Sequence, residues 1–303
     1  MRVIFLGTSG STPTATRNLS AIVIKRKGEL ILLDCGEGTQ QRMIQAKVGF
    51  GRNFKIFITH MHGDHVLGLP GILQTLSLFD FKSPLQIFGP SGLKRFIDAI
   101  IETLKFKLTF PLLIREIDEG IIYKQKEYHI QAVYVEHSIP TLAYALIEQD
   151  RPGKFSPEKA KFLKIPKGPL WSKLQHGEII MVGNGKVVTP NHILGPSRRG
   201  RKIVYSGDTR PCKNILNLAK DANLLIYEAT FSDEYKETAN ENMHSTPSQG
   251  AKIAKEANVK KLILTHISPR FDNMDVFLKE AKKIFLATEV ATDLLEFEIR
   301  YPQ

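Results

Sequence analysis

Residues 59–65 read Thr59-His60-Met61-His62-Gly63-Asp64-His65, and they continue an apolar strand-like run that starts at Asn53. An extended backbone alternates side-chain direction, so His60 and His62 leave the end of that strand on one face. Gly63 permits a sharp turn that brings Asp64 and His65 to a neighbouring point. Imidazole together with carboxylate suits Zn²⁺ or a similar first-row ion. Four such donors in six positions, in a chain with nine histidines, mark a metal-binding string. The four could surround one ion, but alternating faces fit two better, with more ligands supplied from elsewhere.

The remaining donors are sought where other strand-like runs stop. His137 follows the run ending in Val135-Glu136, Asp208 follows Lys202–Gly207, and His266 follows Leu262–Thr265. Polar groups at strand ends converge on one edge of a sheet, where α/β sites form. A carboxylate such as Asp208 could bridge two ions. His129, His176 and His192 lack such neighbours and read as ordinary residues. Cys35 and Cys212, the only cysteines, read as small buried side chains, too few for a disulfide scaffold or a Cys-rich zinc module.

Outward from the string, strands are expected at 2–6, 20–26, 29–34, 53–60 and 85–89, with helices over 37–47, 65–80 and 92–104. The middle reads as strand at 112–117, 127–135 and 141–149. Alternation resumes with strands at 201–208, 222–230, 261–266 and 293–300 and helices near 212–219, 245–259 and 274–285. Two successive blocks of this kind predict two sheets packed together with helices outside, and the length allows one large domain or two small ones. Periodicity alone leaves α/β and α+β open.

Residues 151–175 break the rhythm, with four prolines, two glycines and seven Lys/Arg against the single acid Glu158. Prolines within it forbid a continuous strand, so it reads as a long basic excursion from the core. Phe155, Phe162 and Trp171 are interleaved with its charges, available to pack on sugars or to stabilise a small arm. Composition is ordinary for a globular chain of 303 residues, 42% hydrophobic and 24% charged, which excludes disordered and fibrous classes. The formal charge of +11 tilts the substrate toward a polyanion. No apolar run approaches a membrane span or a signal-peptide core, so a cytoplasmic enzyme with no membrane partner is expected.

The histidine string resembles the signature of the metallo-β-lactamase superfamily. Further stretches narrow the match: FLGTSGSTPT (5–14), DCGEGTQQ (34–41), THMHGDH (59–65), SGDT (206–209), YEAT (227–230), HST (244–246), THISPRF (265–271) and ATDL (291–294). In this order, over nearly the whole chain, they resemble the short form of the ribonuclease Z family, the tRNA 3′-endonucleases. The resemblance implies an α+β fold in a single domain over 1–303, a four-layer αββα sandwich with a protruding arm at 151–175 and a dinuclear site at one edge. It implies one zinc held by His60, His62 and His137 and another by Asp64, His65 and His266, with Asp208 bridging. It also implies Asp64 as proton acceptor for the attacking water, His244 as general acid, and Glu228 as the carboxylate orienting it.

The same resemblance implies precursor tRNA as substrate, cut after the discriminator nucleotide to leave a 3′-hydroxyl on the tRNA and a 5′-phosphate on the trailer. Residues 151–175 resemble the family's flexible arm, which grips tRNA from the partner subunit of a homodimer. Lys154, Lys161, Lys164 and Lys167 are its candidate phosphate contacts. Pro13–Asn18 resembles the family's loop at the tRNA 3′ end, with Arg17 and Asn18 as candidate substrate contacts and Ala15 where many members carry Lys. Arg270, four positions past His266, could reach a phosphate bidentately. A small-molecule phosphodiesterase or thioesterase shares the metal string but has no use for a basic, aromatic-bearing arm. A non-catalytic RNA-binding protein with structural metals has no use for Glu228 and His244.

Overall fold

The computed structural model describes residues 1–51, 53–183 and 185–301. The N-terminal aliphatic runs form β1 (Arg2–Gly7), β2 (Ala21–Arg26) and β3 (Glu29–Leu33), each pairing antiparallel with the one before. Helix α1 (Thr39–Gln45) follows, then β4 (Asn53–Phe57), α2 (Gly63–Val66), α3 (Leu69–Leu78), β5 (Leu85–Gly89), α4 (Leu93–Leu104) and β6 (Leu112–Glu116). From β3 to β6 the pairing is parallel, and helices carry the crossovers.

The expected single helix over 65–80 is divided. The backbone of Gly68 lies against Cys35 and Gly36, its N–H donating to the Cys35 carbonyl at 2.9 Å. A β-carbon at Gly68 would stand 2.1 Å from the Gly36 carbonyl oxygen. That crossing fixes the chain between α2 and α3, so Asp64 and His65 sit on a separate single turn.

The second sheet is built from β7 (Gly120–Lys124), β8 (Tyr128–Val135) and β9 (Thr141–Glu148). Between β9 and the next strand of this sheet lie α5 (Pro157–Phe162), α6 (Pro169–Gln175), β10 (Ile180–Val182) and β11 (Lys186–Val188). The sheet resumes with β12 (Lys202–Tyr205), α7 (Lys213–Ala219), β13 (Leu224–Glu228), α8 (Lys236–Glu241), α9 (Pro247–Glu256), β14 (Leu262–Thr265), α10 (Met274–Lys282) and β15 (Thr288–Val290). The last strand, β16 (Glu296–Glu298), returns to β1 in the first sheet. The orders are β16-β1-β2-β3-β4-β5-β6 and β15-β14-β13-β12-β9-β8-β7, with β12 to β15 parallel. Strand β7 carries little sequence signal, because it is a short edge strand whose residues are exposed or half-buried and alternate weakly.

Three apolar layers hold this unit, which comprises 1–147 and 202–300. Val3, Phe5, Ile31 and Phe57 of the first sheet meet Tyr144, Ile203 and Ile226 of the second between the sheets. Phe57 stacks on Phe88 with ring centroids 4.7 Å apart. Helices α1, α3 and α4 cover the outer face of the first sheet, and α7, α9 and α10 that of the second. The result is the expected α+β sandwich in four layers. Each fully buried Phe, Leu or Ile contributes roughly 1.5–3 kcal/mol to it.

Residues 148–201, with Tyr301, form a second compact unit. The 151–175 segment supplies its two helices. Its core also needs the β10–β11 hairpin, because Ala160, Ile165 and Leu174 pack with Ile180, Val188 and Ile193. Phe155 and Trp171 stack at 5.0 Å and belong to that core, and the Trp171 indole donates to the Ile165 carbonyl at 3.1 Å. Within this unit Arg201 donates to Glu148 in a buried ion pair, bonded at 2.8 and 2.9 Å. No helix among the described residues is long and apolar enough to cross a membrane.

Candidate metal centre

Parallel strands end together, and the polar residues just past those ends meet. His60 follows β4, and His62 caps α2, whose first turn carries Asp64 and His65. His137 follows β8, Asp208 follows β12 and His266 follows β14. His266 takes the left-handed backbone, φ 57°, which turns it out of strand geometry.

The seven donors fall into two sets. In the first, His60 Nε2 lies 3.0 Å from His62 Nδ1, and His137 Nε2 lies 3.3 Å from the same atom. In the second, His266 Nε2 stands 3.3 Å from each of His65 Nε2, Asp64 Oδ2 and Asp208 Oδ2. Asp208 Oδ2 is also 3.4 Å from His65 Nε2 and 3.7 Å from His60 Nε2, so it touches both sets. Within each set the donor atoms lie within 4.8 Å of one another.

These residues fit metal ions. Imidazole nitrogens converge in each set, and on His60, His65, His137 and His266 the opposite nitrogen is already engaged. His65 Nδ1 donates to Asp34 Oδ2 at 2.7 Å, and His137 Nδ1 to the Met243 carbonyl at 3.2 Å, which leaves lone pairs on both Nε2 atoms. Asp208 Oδ1 is buried with no hydrogen-bond partner among the described residues. A buried carboxylate oxygen without a hydrogen-bond partner is a costly arrangement that a cation relieves.

Electrostatics agree. Burial and then the neighbouring His65 push His60 well below the usual histidine range, and burial lowers His62, so both offer neutral nitrogens. Burial opposes charge on His65 too, yet Asp208 and Asp34 outweigh it and carry its pKa well up. Burial likewise disfavours the Asp64 and Asp208 carboxylates, but the surrounding imidazoles hold both well below the usual range. A field that raises His65 this far favours any cation at the same point.

Beside the second set stands a carboxylate–imidazole pair. Glu228, the last residue of β13 and 1% exposed, receives the Thr209 amide on Oε1 and the Thr230 and Ser245 amides on Oε2. His244 Nδ1 lies 2.7 Å from Glu228 Oε1. Burial lowers the His244 pKa, but the adjacent carboxylate prevails and holds it up at about 9. His62, Asp64, His137, Asp208 and His244 all line one cleft of about 650 Å³.

The structure brings all seven sequence-derived metal candidates and the Glu228–His244 pair together. Two other candidates make bonds inside the fold. The Arg17 guanidinium turns inward, donating to the carbonyls of Ile267, Ser268 and Phe271 at 2.9, 3.2 and 2.8 Å, so it clamps the 267–271 turn. Asn18 also bonds internally, its backbone amide donating to Asp293 and its side-chain nitrogen to the Glu37 carbonyl, both at 2.7 Å. Arg270 is exposed, has no carboxylate partner among the described residues, and lies 5.4 Å over the Phe231 ring. Lys154, Lys161, Lys164 and Lys167 are exposed in the second unit, also without carboxylate partners among the described residues.

Asp34 is the residue that sequence reasoning missed. Fully buried, it accepts from the Thr59 amide, the Thr59 and Tyr205 hydroxyls, and His65. The signal is present: Asp34 ends a strand-like run, as Asp208 does.

Facing mixed sheets with a His/Asp cluster at their strand ends define an enzyme of the metallo-β-lactamase fold. A family model described as a beta-lactamase superfamily domain matches residues 186–267, and one described as anti-Pycsar protein Apyc1 matches residues 1–151. Ribonuclease Z of Methanosarcina acetivorans is 49% identical over 302 residues, covering 99% of each chain. That of Nitrosopumilus maritimus is 43% identical over 99% of this chain and 100% of its own. The crystal structure of human tRNase Z, short form, superposes with a TM-score of 0.73 at 28% identity, covering 99% of this chain and 100% of that one. The chain belongs to the ribonuclease Z family and is an enzyme of that type.

Proposed function

We propose that this chain is a zinc-dependent endoribonuclease that removes the 3′ trailer from precursor tRNA. The cut falls after the discriminator nucleotide and leaves a 3′-hydroxyl on the tRNA and a 5′-phosphate on the trailer. The observation that carries the reading is that members of both donor sets and His244, backed by the buried Glu228, line one cleft. The names of its relatives, ribonuclease Z and tRNase Z, support RNA as the substrate.

His60, His62 and His137 would hold one zinc, Asp64, His65 and His266 the other, and Asp208 both. When bound, such ions lower the pKa of water and neutralise charge that builds on phosphoryl oxygens. The protein's own groups do the rest. Asp64, fixed by the Ser11 amide at 2.7 Å, accepts the proton of the attacking water. His244, protonated at neutral pH because Glu228 faces it, donates to the departing O3′ of the tRNA. Arg270 on Phe231 offers a charged plane to a neighbouring phosphate.

The lysines of the 148–201 unit bind the tRNA body, and the enzyme works as a cytoplasmic homodimer. Supporting the first point, these cations are exposed with no competing carboxylate among the described residues, so they are free to displace counterions from RNA.

The test is incubation of the zinc-loaded protein with a precursor tRNA bearing a 3′ trailer, with both product ends mapped. A single cut after the discriminator, lost on chelation, is expected. Hydrolysis of a small phosphodiester without any cut in the RNA would overturn the reading.

A further inference from the structure

Thr230 lies two residues past the end of β13 and is 2% exposed. Its hydroxyl sits among three groups: Oγ1 is 2.8 Å from Glu228 Oε2, 2.9 Å from His266 Nδ1 and 3.2 Å from His244 Nδ1. A hydroxyl has one proton to give. An ionised carboxylate can only accept, so the Thr230 proton goes to Glu228. The oxygen then serves as acceptor toward the imidazoles. His244 Nδ1 has the shorter bond, 2.7 Å to Glu228 Oε1, and its proton is directed there. The acceptor that remains on Thr230 belongs to His266 Nδ1.

Two consequences follow from that assignment. The ring proton of His266 resides on Nδ1, and its Nε2 presents a lone pair to Asp64, His65 and Asp208, each 3.3 Å away. The same hydroxyl joins the Thr230 and Ser245 amides on Oε2 of Glu228, the carboxylate whose Oε1 meets His244.

We propose that Thr230 is a positioning residue that links the metal-ligand set to the acid pair, its one hydroxyl donating to Glu228 and fixing the His266 tautomer. The inference rests on the reading of His266 as a metal ligand and His244 as general acid. Groups that orient a metal-ligating histidine in this way typically change metal affinity or activity by roughly 10–100-fold when removed.

Thr230→Val keeps the shape and removes only the hydroxyl. Glu228 retains two backbone donors on Oε2, from Thr230 and Ser245, whereas the His266 Nδ1–H loses its acceptor. Thr230→Ser restores the hydroxyl. The measurement is competition for zinc with a chromophoric chelator, on the parent, Thr230→Val, Thr230→Ser and His266→Ala proteins, with circular dichroism as the check on folding.

Expected is a roughly 10–100-fold weaker second zinc in Thr230→Val, near-parent affinity in Thr230→Ser, and loss of that zinc in His266→Ala. In cleavage assays at saturating zinc, Thr230→Val should lower kcat and leave KM for precursor tRNA unchanged. Parent-like zinc affinity in Thr230→Val, or equal weakening in Thr230→Val and Thr230→Ser, overturns the proposal while the metal centre stands. Full zinc retention by His266→Ala overturns the reading beneath it. Should Thr230→Val not fold, ¹⁵N spectra of the zinc-loaded parent decide: a protonated Nδ1 on His266 supports the assignment and a protonated Nε2 refutes it.

Discussion

The backbone of Gly10 and the imidazole of His266 are in contact: a β-carbon at residue 10 would lie 2.6 Å from Cε1 and 2.7 Å from Nδ1. The next residue, Ser11, donates its amide to Asp64 at 2.7 Å, so the 9–11 turn touches two members of one donor set. Gly10→Ala has no room except by displacing the ring. Metal analysis of purified protein should show less zinc per chain in Gly10→Ala than in the parent, with an unchanged far-ultraviolet spectrum. Equal zinc would mean that the ring yields without losing its role.

Asp34 and His65 make a second such contact, inside the core. The Asp34 carboxylate gathers three protein donors besides the imidazole, and an amide in its place would point hydrogens at some of them. Asp34→Asn should cost roughly 1–3 kcal/mol in urea unfolding. Zinc affinity should drop by roughly 10–100-fold, since the tautomer and tilt of His65 lose their anchor. A variant with parent-like affinity would show that packing alone orients His65.

The metal donors are legible in the sequence because they announce themselves by type and place. Each of His60, His137, Asp208 and His266 follows an apolar run, and sheets align such ends. Asp34 obeys the same rule but lies in DCGEGTQQ (34–41), where no second donor stands beside it. The inward bonds of Arg17 are not legible for a different reason: a guanidinium can meet a phosphate or three carbonyls, and the position of 267–271 is set only by the tertiary fold. The long helix expected over 65–80 fails at the Gly36–Gly68 approach, a contact between distant backbones that leaves little local trace. The β10–β11 hairpin and edge strand β7 escape sequence reading, since three to five partly exposed residues give no clear period.

The Glu228–His244 pair fixes a pH dependence. With its folded pKa raised to about 9, His244 is protonated at neutral pH and loses its proton as pH rises through that value. If the protonated form is the acid, kcat/KM falls on the alkaline side. Glu228→Gln removes the charge that opposes burial, so the alkaline limb should move to lower pH by about 1–3 units. A profile with an unmoved limb would take this pair out of the proton path.

Arg17 and Arg270 should separate cleanly. Arg17→Ala leaves three carbonyls without their donor and should cost roughly 1–3 kcal/mol of stability, with the salt dependence of RNA binding unchanged. Arg270→Ala should leave stability within about 0.5 kcal/mol and lower the slope of log K against log salt by about one phosphate's worth. Opposite results would restore Arg17 as the phosphate ligand.

The core of the 148–201 unit dictates how its proposed part in RNA binding can be tested. Removing 151–175 alone would strand Ile180, Val188 and Ile193 without their partners, so a deletion confounds binding with unfolding. Point changes on its surface avoid this. Phe162 is 86% exposed on α5 beside Lys159 and Lys161, whereas Phe155 and Trp171 are packed together. Replacing Lys161, Lys164 and Lys167 by Ala should lower the salt slope of precursor-tRNA binding by roughly 0.7–0.9 for each phosphate no longer neutralised. Phe162→Ala should weaken binding at every salt concentration without changing that slope, because stacking releases no counterions. Both variants should keep parent-like zinc content and hydrolysis of a small phosphodiester. If the small substrate suffers equally, the unit supports the catalytic half instead of holding RNA.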